Sequence, residues 1–295
     1  MRHLLGPPTR SRVGAADRSR ERAGPAVPCG TGSGSVKLGL IGPGRHGSRY
    51  LQERNGGRYF TRVLSRTPRT DLPDWVTGTT KPEEFFAPGI DGVVIATPIE
   101  THVAIAMEAM RRGMHVLCEK PLADGWPGCA MLLSASQTLG KRLAVAHTDL
   151  FHSAIPPERY GWEGPRDTTV EYGGPTGDLA DWAPHGIALA MYFNQVNEGS
   201  WTCDYSPNDW RFALTWPMAD NQERRCSVRI RRGVTMRRAN VRYFNAERRE
   251  FDGTAPSDPS PIRNMLDVFV SGKEDRRMSY DFTRAVYRVL LTDPD

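Results

Sequence analysis

The stretch VKLGLIGPGRHGSRYLQER, beginning at Val36, constrains the fold more than any other part of the chain. An apolar run ends on Gly42, glycines recur at Gly44 and Gly47 in G-x-G-x-x-G spacing, and a helix-compatible segment follows. Strand, tight loop and helix therefore succeed one another within a few residues. The pattern then repeats. Apolar runs at 59–64, 92–96, 114–118 and 143–147 read as strands, and segments at 81–86, 100–112 and 127–139 read as helices, the last two stopped by Gly113 and Gly140. Such alternation, with strands apolar throughout, predicts a doubly wound parallel sheet covered on both faces.

In that setting the glycine loop has a chemical task. Gly42 lets the chain turn, Gly44 lets a pyrophosphate approach the backbone, and Gly47 lets the helix pack on the strand. Arg45 and His46 fill variable positions of the loop and join the predicted cofactor contacts. Taken alone, the spacing equally describes a structural turn; the strand before it and the helix after it favour dinucleotide binding. About 20 residues on, an Asp or Glu would accept from the 2′-hydroxyl of NAD. Ser65 and Arg66 stand there instead, with Arg45 in the loop and Arg69 nearby to bind a 2′-phosphate, so NADP is expected over NAD, against the alternative that these arginines form a solvated edge.

Ligands of open parallel sheets bind beyond the carboxyl ends of the strands. Thr97 and Pro98 occupy one such end, and Glu119, Lys120 and Pro121 another. A lysine there is open to tuning: desolvation disfavours its charge and an adjacent carboxylate favours it. Lys120 thus becomes a candidate for holding a substrate oxygen, with Pro121 fixing the backbone after it, a cis bond being one way to do so. His102, in the first helical turn after Thr97 and Pro98, is a candidate lining residue, a capping role being the alternative. His147 and His152 are five apart across a strand end, which suits no helical metal pair, and no metal site is expected.

Composition removes other classes. The 295 residues carry a formal charge of +5, but residues 1–35 hold six arginines against Asp17 and Glu21, hence +4 of it. The remainder is nearly neutral, which argues against a nucleic-acid-binding body. The tail, rich in Gly, Pro, Arg and Ser, has no period and is expected to be a disordered extension. Five cysteines without a CxxC pair suit a reducing compartment, and no apolar run has the length of a membrane span, so a cytoplasmic protein is expected.

KLGLIGPGRHG, then VVIATPIETHVAIAMEAMRRGMHVLCEKPLA, then LAVAHTDLFHSA resemble the Gfo/Idh/MocA family of nicotinamide-dependent oxidoreductases. A further block, GDLADWAPHGIALAMYF, is similar to that family's D-x-x-x-H segment, here Asp181 to His185. The resemblance implies NAD(P)-dependent interconversion of a hydroxyl and a carbonyl on a sugar, sugar nucleotide or polyol. It implies that Lys120 binds the reacting oxygen, that His185 is the general acid or base, and that Asp181 is its polar partner on the same helix face. The bland alternatives are an exposed intrahelical ion pair or a core histidine. Also open are a lyase or glycosidase that recycles its bound nicotinamide and a non-catalytic cofactor-binding member.

The expected organisation is a basic tail at 1–35, a Rossmann domain at 36–150 and, at 151–295, a shortened α+β domain with an open, mostly antiparallel sheet for substrate binding and self-association. Within it, 227–232 and 239–244 alternate with period two, and 265–290 resembles the family's terminal helix, loop and helix. HSAIPPERYGWEGPRD is too rich in Pro and Gly to be assigned to a strand. The arginine pairs 224–225, 231–232, 237–238 and 248–249 suggest an anionic substrate or, as the favoured alternative, a solvated sheet face. A small-molecule substrate and a homo-oligomer are the expected partners, with no nucleic acid and no membrane.

Overall fold

The computed structural model describes residues 36–53, 57–155, 165–195, 199–217, 223–243 and 247–292. The basic tail, Cys29, most of the Pro- and Gly-rich segment and Phe244 lie outside the described residues. The chain divides into two compact units. Among the described residues one comprises 36–148 with Pro259–Thr283, the other Asp149–Asp258 with 284–292. The division falls between Thr148 and Asp149, and Pro259–Thr283 belongs to the first unit.

The first unit is a six-stranded parallel sheet of β1 (Leu38–Ile41), β2 (Phe60–Leu64), β3 (Thr77–Thr79), β4 (Gly92–Ile95), β5 (His115–Cys118) and β6 (Leu143–Val145). Their spatial order is β3-β2-β1-β4-β5-β6. Every residue of β1, β4 and β5 is buried, as an apolar strand covered on both faces requires. The helices are α1 (Ser48–Gln52), α2 (Pro82–Phe85), α3 (His102–Arg111) and α4 (Trp126–Thr138). The edge strand β3 was not predicted: it is three residues long, and Thr77 and Gly78 are exposed.

The second unit carries a six-stranded mixed sheet, fuller than the sequence suggested. It contains β7 (Pro165–Gly174), β8 (Ser200–Tyr205), β9 (Asp209–Pro217), β10 (Glu223–Arg232), β11 (Met236–Tyr243) and β12 (Arg248–Asp252), in the order β12-β11-β7-β10-β9-β8. Only β7 and β10 run parallel. The helix α5 (Leu179–Asn194) lies on β7 and β10. Val170 and Tyr172 of β7 and Cys226, Val228 and Ile230 of β10 are buried, whereas their neighbours Thr169, Arg225 and Ser227 alternate outward. Gly186 lets the helix approach closely, since a Cβ there would stand 2.6 Å from Ile230 Cδ1.

Several arginines of this sheet are engaged by acids of the same unit. Arg229 and Arg211 bridge Asp209 at 2.6 and 3.0 Å, and hydrogen bonding, led by Arg229, holds its carboxyl down at about 2. Arg225 meets Glu223, Arg237 meets Asp149, Arg238 meets Asp252 and Arg249 meets Glu247. The alternation of sign supports the solvated-face reading over an anion site.

Two helices close the chain, α6 (Pro261–Ser271) and α7 (Tyr280–Leu291). In α6, Ser260 caps the first turn by accepting from the Arg263 amide at 3.1 Å, and Gly272 ends it at φ 65°. Arg142, just before β6, donates to the carbonyls of Phe269 and Lys273 at 3.0 and 2.9 Å. Tyr59 donates to Asp267 at 2.8 Å. These bonds place α6 in the first unit.

Candidate active site

Strand order in the first sheet reverses between β1 and β4, and the predicted cofactor residues follow β1, β2, β4 and β5 at that point. The glycine loop has the expected division of labour. Gly42 lies at φ 85°, where a Cβ would strike Thr97 Cγ2 at 2.7 Å and the Ala96 carbonyl at 2.8 Å. A Cβ on Gly47 would lie 2.2 Å from the Gly42 carbonyl oxygen. Gly44, by contrast, is exposed with nothing within 4 Å of where its Cβ would be. The loop is therefore packed tight at both ends and open in the middle, which fits a dinucleotide's pyrophosphate. Arg45 and His46 are exposed beside it.

At the end of β2 the Ser65 hydroxyl donates to the Thr67 carbonyl at 2.7 Å, which shapes the turn, and Arg66 is exposed. Arg69 is committed elsewhere: it grips Asp71 through two bonds and donates to the carbonyl of Pro43, inside the glycine loop, at 2.9 Å. Of the arginines named for a 2′-phosphate, Arg66 at the strand end and Arg45 in the loop are exposed.

The ends of β4 and β5 are joined by His102. Its ring is buried, with Nδ1 2.9 Å from the Pro121 carbonyl and Nε2 2.8 Å from the Thr97 carbonyl. Both nitrogens thus face carbonyls, and His102 braces the two loops. Thr101 adds to the brace, donating within the Thr97–Pro98 turn. Lys120 and Pro121 are joined by a cis peptide bond. Glu119, the expected charge partner of Lys120, accepts the Tyr50 hydroxyl at 2.7 Å and faces the Lys120 amide at 3.3 Å. It links the loop helix α1 to the end of β5, and burial together with its charge holds the Tyr50 hydroxyl well above the usual range.

His147, weighed in the sequence only as a metal ligand, belongs to this setting. It follows β6, is 1% exposed and lies edge-on to Phe282 with ring centroids 6.3 Å apart. Burial first, then the charge of Lys120, push its imidazole down to about 3. It is a neutral group beside the lysine across the physiological range. Adjacency of β5 and β6 produces this, and no spacing in the sequence announces it.

In the second unit, Asp181 and His185 project from one face of α5. Asp181 is exposed and its carboxylate lies 3.4 Å from the Asp178 amide, in the first turn of the helix. That gives it a capping task which the D-x-x-x-H spacing does not reveal. His185 is half-buried and stacks on Tyr172, ring centroids 5.5 Å apart and planes 11° apart. Among the described residues no group of three or more His, Cys, Asp or Glu is arranged to hold a metal, and no helix is long and apolar enough to cross a membrane.

A sheet that reverses order at a glycine loop, with that loop open over its middle glycine, defines a dinucleotide-binding protein of the Rossmann class. More narrowly, residues 36–147 match the model of the Gfo/Idh/MocA oxidoreductase family, NAD-binding Rossmann fold. Inositol 2-dehydrogenase 1 of Saccharopolyspora erythraea is 30% identical over 122 residues, 38% of this chain and 36% of that protein. The uncharacterized oxidoreductase YdgJ of Escherichia coli is 31% identical over 210 residues, covering 59% of this chain and 61% of its own length. The chain thus spans between about a third and three-fifths of these two relatives. The crystal structure of UDP-N-acetylglucosamine 3-dehydrogenase GnnA from Acidithiobacillus ferrooxidans superposes with a TM-score of 0.70 at 17% identity. That match covers 88% of this chain and 96% of that one, so the similarity of fold extends through both units.

Proposed function

We propose that the chain is an NAD(P)-dependent oxidoreductase that interconverts a hydroxyl and a carbonyl on a cyclic polyol or related sugar. The observation that carries this reading is Lys120 at the carboxyl end of β5, in a unit whose glycine loop is open over Gly44 and whose residues 36–147 match an NAD-binding oxidoreductase family. The polyol class is drawn from the inositol dehydrogenase relative.

When bound, the nicotinamide supplies the hydride donor or acceptor. The glycine loop holds the pyrophosphate, and Arg66 favours a 2′-phosphate, hence NADP over NAD. Lys120 donates a hydrogen bond to the reacting oxygen, and its charge favours the alkoxide character that develops as the carbon–hydrogen bond breaks. His185 takes the hydroxyl proton in the oxidative direction and returns it in the reductive one, with Asp181 on the same helix face. Fluorescence titration with NADPH and NADH, followed by absorbance of the reduced nicotinamide across a panel of inositols and sugars, tests the reading. Binding of neither cofactor ends it, and turnover without net absorbance change moves it to a hydride-recycling lyase.

A further inference from the structure

His185 is held by a cluster that the D-x-x-x-H spacing does not contain. The Tyr172 ring is 1% exposed and stacked against the imidazole, and Trp182 packs on it at 6.1 Å. Its hydroxyl donates to Asp149 Oδ2. Asp149, in a turn of 3₁₀ helix (Thr148–Phe151), is 7% exposed, and a carboxylate so buried requires compensation. Arg237 supplies it, with Nη1 3.4 Å from Asp149 Oδ1. Arg237 of β11 stands directly opposite Tyr172 of β7 in the antiparallel register, so both side chains leave the same face of the sheet toward one carboxylate.

We propose that Tyr172 is the positioning residue for His185. The Asp149–Arg237 pair fixes the tyrosine hydroxyl, the fixed ring sets the plane of the imidazole, and the imidazole is thereby kept aimed for proton transfer. The inference rests on the role given to His185 in the proposed function. A two-rotor aromatic clamped at its far end loses little entropy on stacking, and misplacement of a proton-transfer group is penalised steeply in rate. A tyrosine serving only as core would affect folding alone; a positioning one affects kcat.

The test uses the full chain with isotope-labelled histidine, the His185 ring signals being assigned by their loss in His185→Gln. Tyr172→Leu is expected to move and broaden those signals and to lower kcat about 10- to 100-fold, with KM and cofactor Kd within about threefold. Tyr172→Phe, which keeps the stack, should restore most of the turnover. Asp149→Asn, nearly isosteric, should fold and lower kcat a few-fold, giving a readout even if the leucine variant does not fold. Wild-type turnover that is lost in His185→Gln but retained at full kcat in both Tyr172→Leu and Asp149→Asn overturns the proposal and leaves the functional reading standing. A wild type without turnover overturns the functional reading, and the ring signals then decide: unchanged in the variants, they sink the positioning role as well.

Discussion

Lys120 illustrates how one residue acquires meaning from its place in a sheet. Beyond β5 it lies on the far side of the reversal from the glycine loop, and the buried His147 beside it stays neutral. Replacing Lys120 with Ala should remove the donor to the reacting oxygen without touching the pyrophosphate cradle. Turnover is expected to fall about 100-fold or more, with cofactor Kd changed less than about threefold, read by steady-state kinetics and fluorescence titration. Arg66 offers the complementary check on the cofactor. Arg66→Asp places a carboxylate at the end of β2, where it repels a 2′-phosphate and accepts from a 2′-hydroxyl. The Kd for NADPH should rise about tenfold or more, that for NADH should hold or fall, and an unchanged ratio would remove Arg66 from cofactor selection.

Among the elements, the first sheet was legible because β1, β4, β5 and β6 are largely apolar runs set off by glycines, proline or a helix, and β2 keeps Phe60, Val63 and Leu64 around Thr61 and Arg62. Its edge strand β3 was not, since Thr-Gly-Thr carries no hydrophobic signal. In the second unit, β10 and β11 were read from their alternation, yet β9 shows the same period in Trp210, Phe212, Leu214 and Trp216 and was passed over. The candidate site follows the same division. Glycine loop and strand-end residues sit on local motifs, whereas the His102 brace, the link from Tyr50 to Glu119 and the stack of Tyr172 on His185 depend on strand order and register. Helix α6 gives an element-scale test. Arg142 satisfies carbonyls at and beyond its C-terminal turn while lying over the Phe269 ring at 5.7 Å. Arg142→Ala should expose those carbonyls and lower stability by about 1–3 kcal/mol, seen as a lower urea midpoint with m unchanged.

Over the whole molecule residues 1–35 carry +4 of the formal +5 and residues 36–295 only +1, so titration of particular buried groups outweighs net charge in setting its acid sensitivity. The first unit contains two such groups. His115 accepts the Arg142 amide at 3.0 Å, and burial, reinforced by Lys141 and Arg142, lowers its imidazole to about 4. His147 is lowered to about 3 by burial and then by Lys120. An unfolded histidine titrates near 6.5, so between that value and the folded one the unfolded chain binds the extra proton. Stability from these groups is therefore complete above about pH 6.5, declines as pH falls through it, and levels off below the folded values. Each histidine should contribute a loss of about 1–2 kcal/mol between pH 7 and pH 5. Urea unfolding of the full chain at the two pH values should show that decline in the first unit's transition. In His115→Gln, whose amide oxygen can replace the Nδ1 acceptor, the difference between the two pH values should shrink by one histidine's share. An equal difference in variant and wild type would mean that the folded imidazole of His115 takes up its proton as readily as the unfolded one.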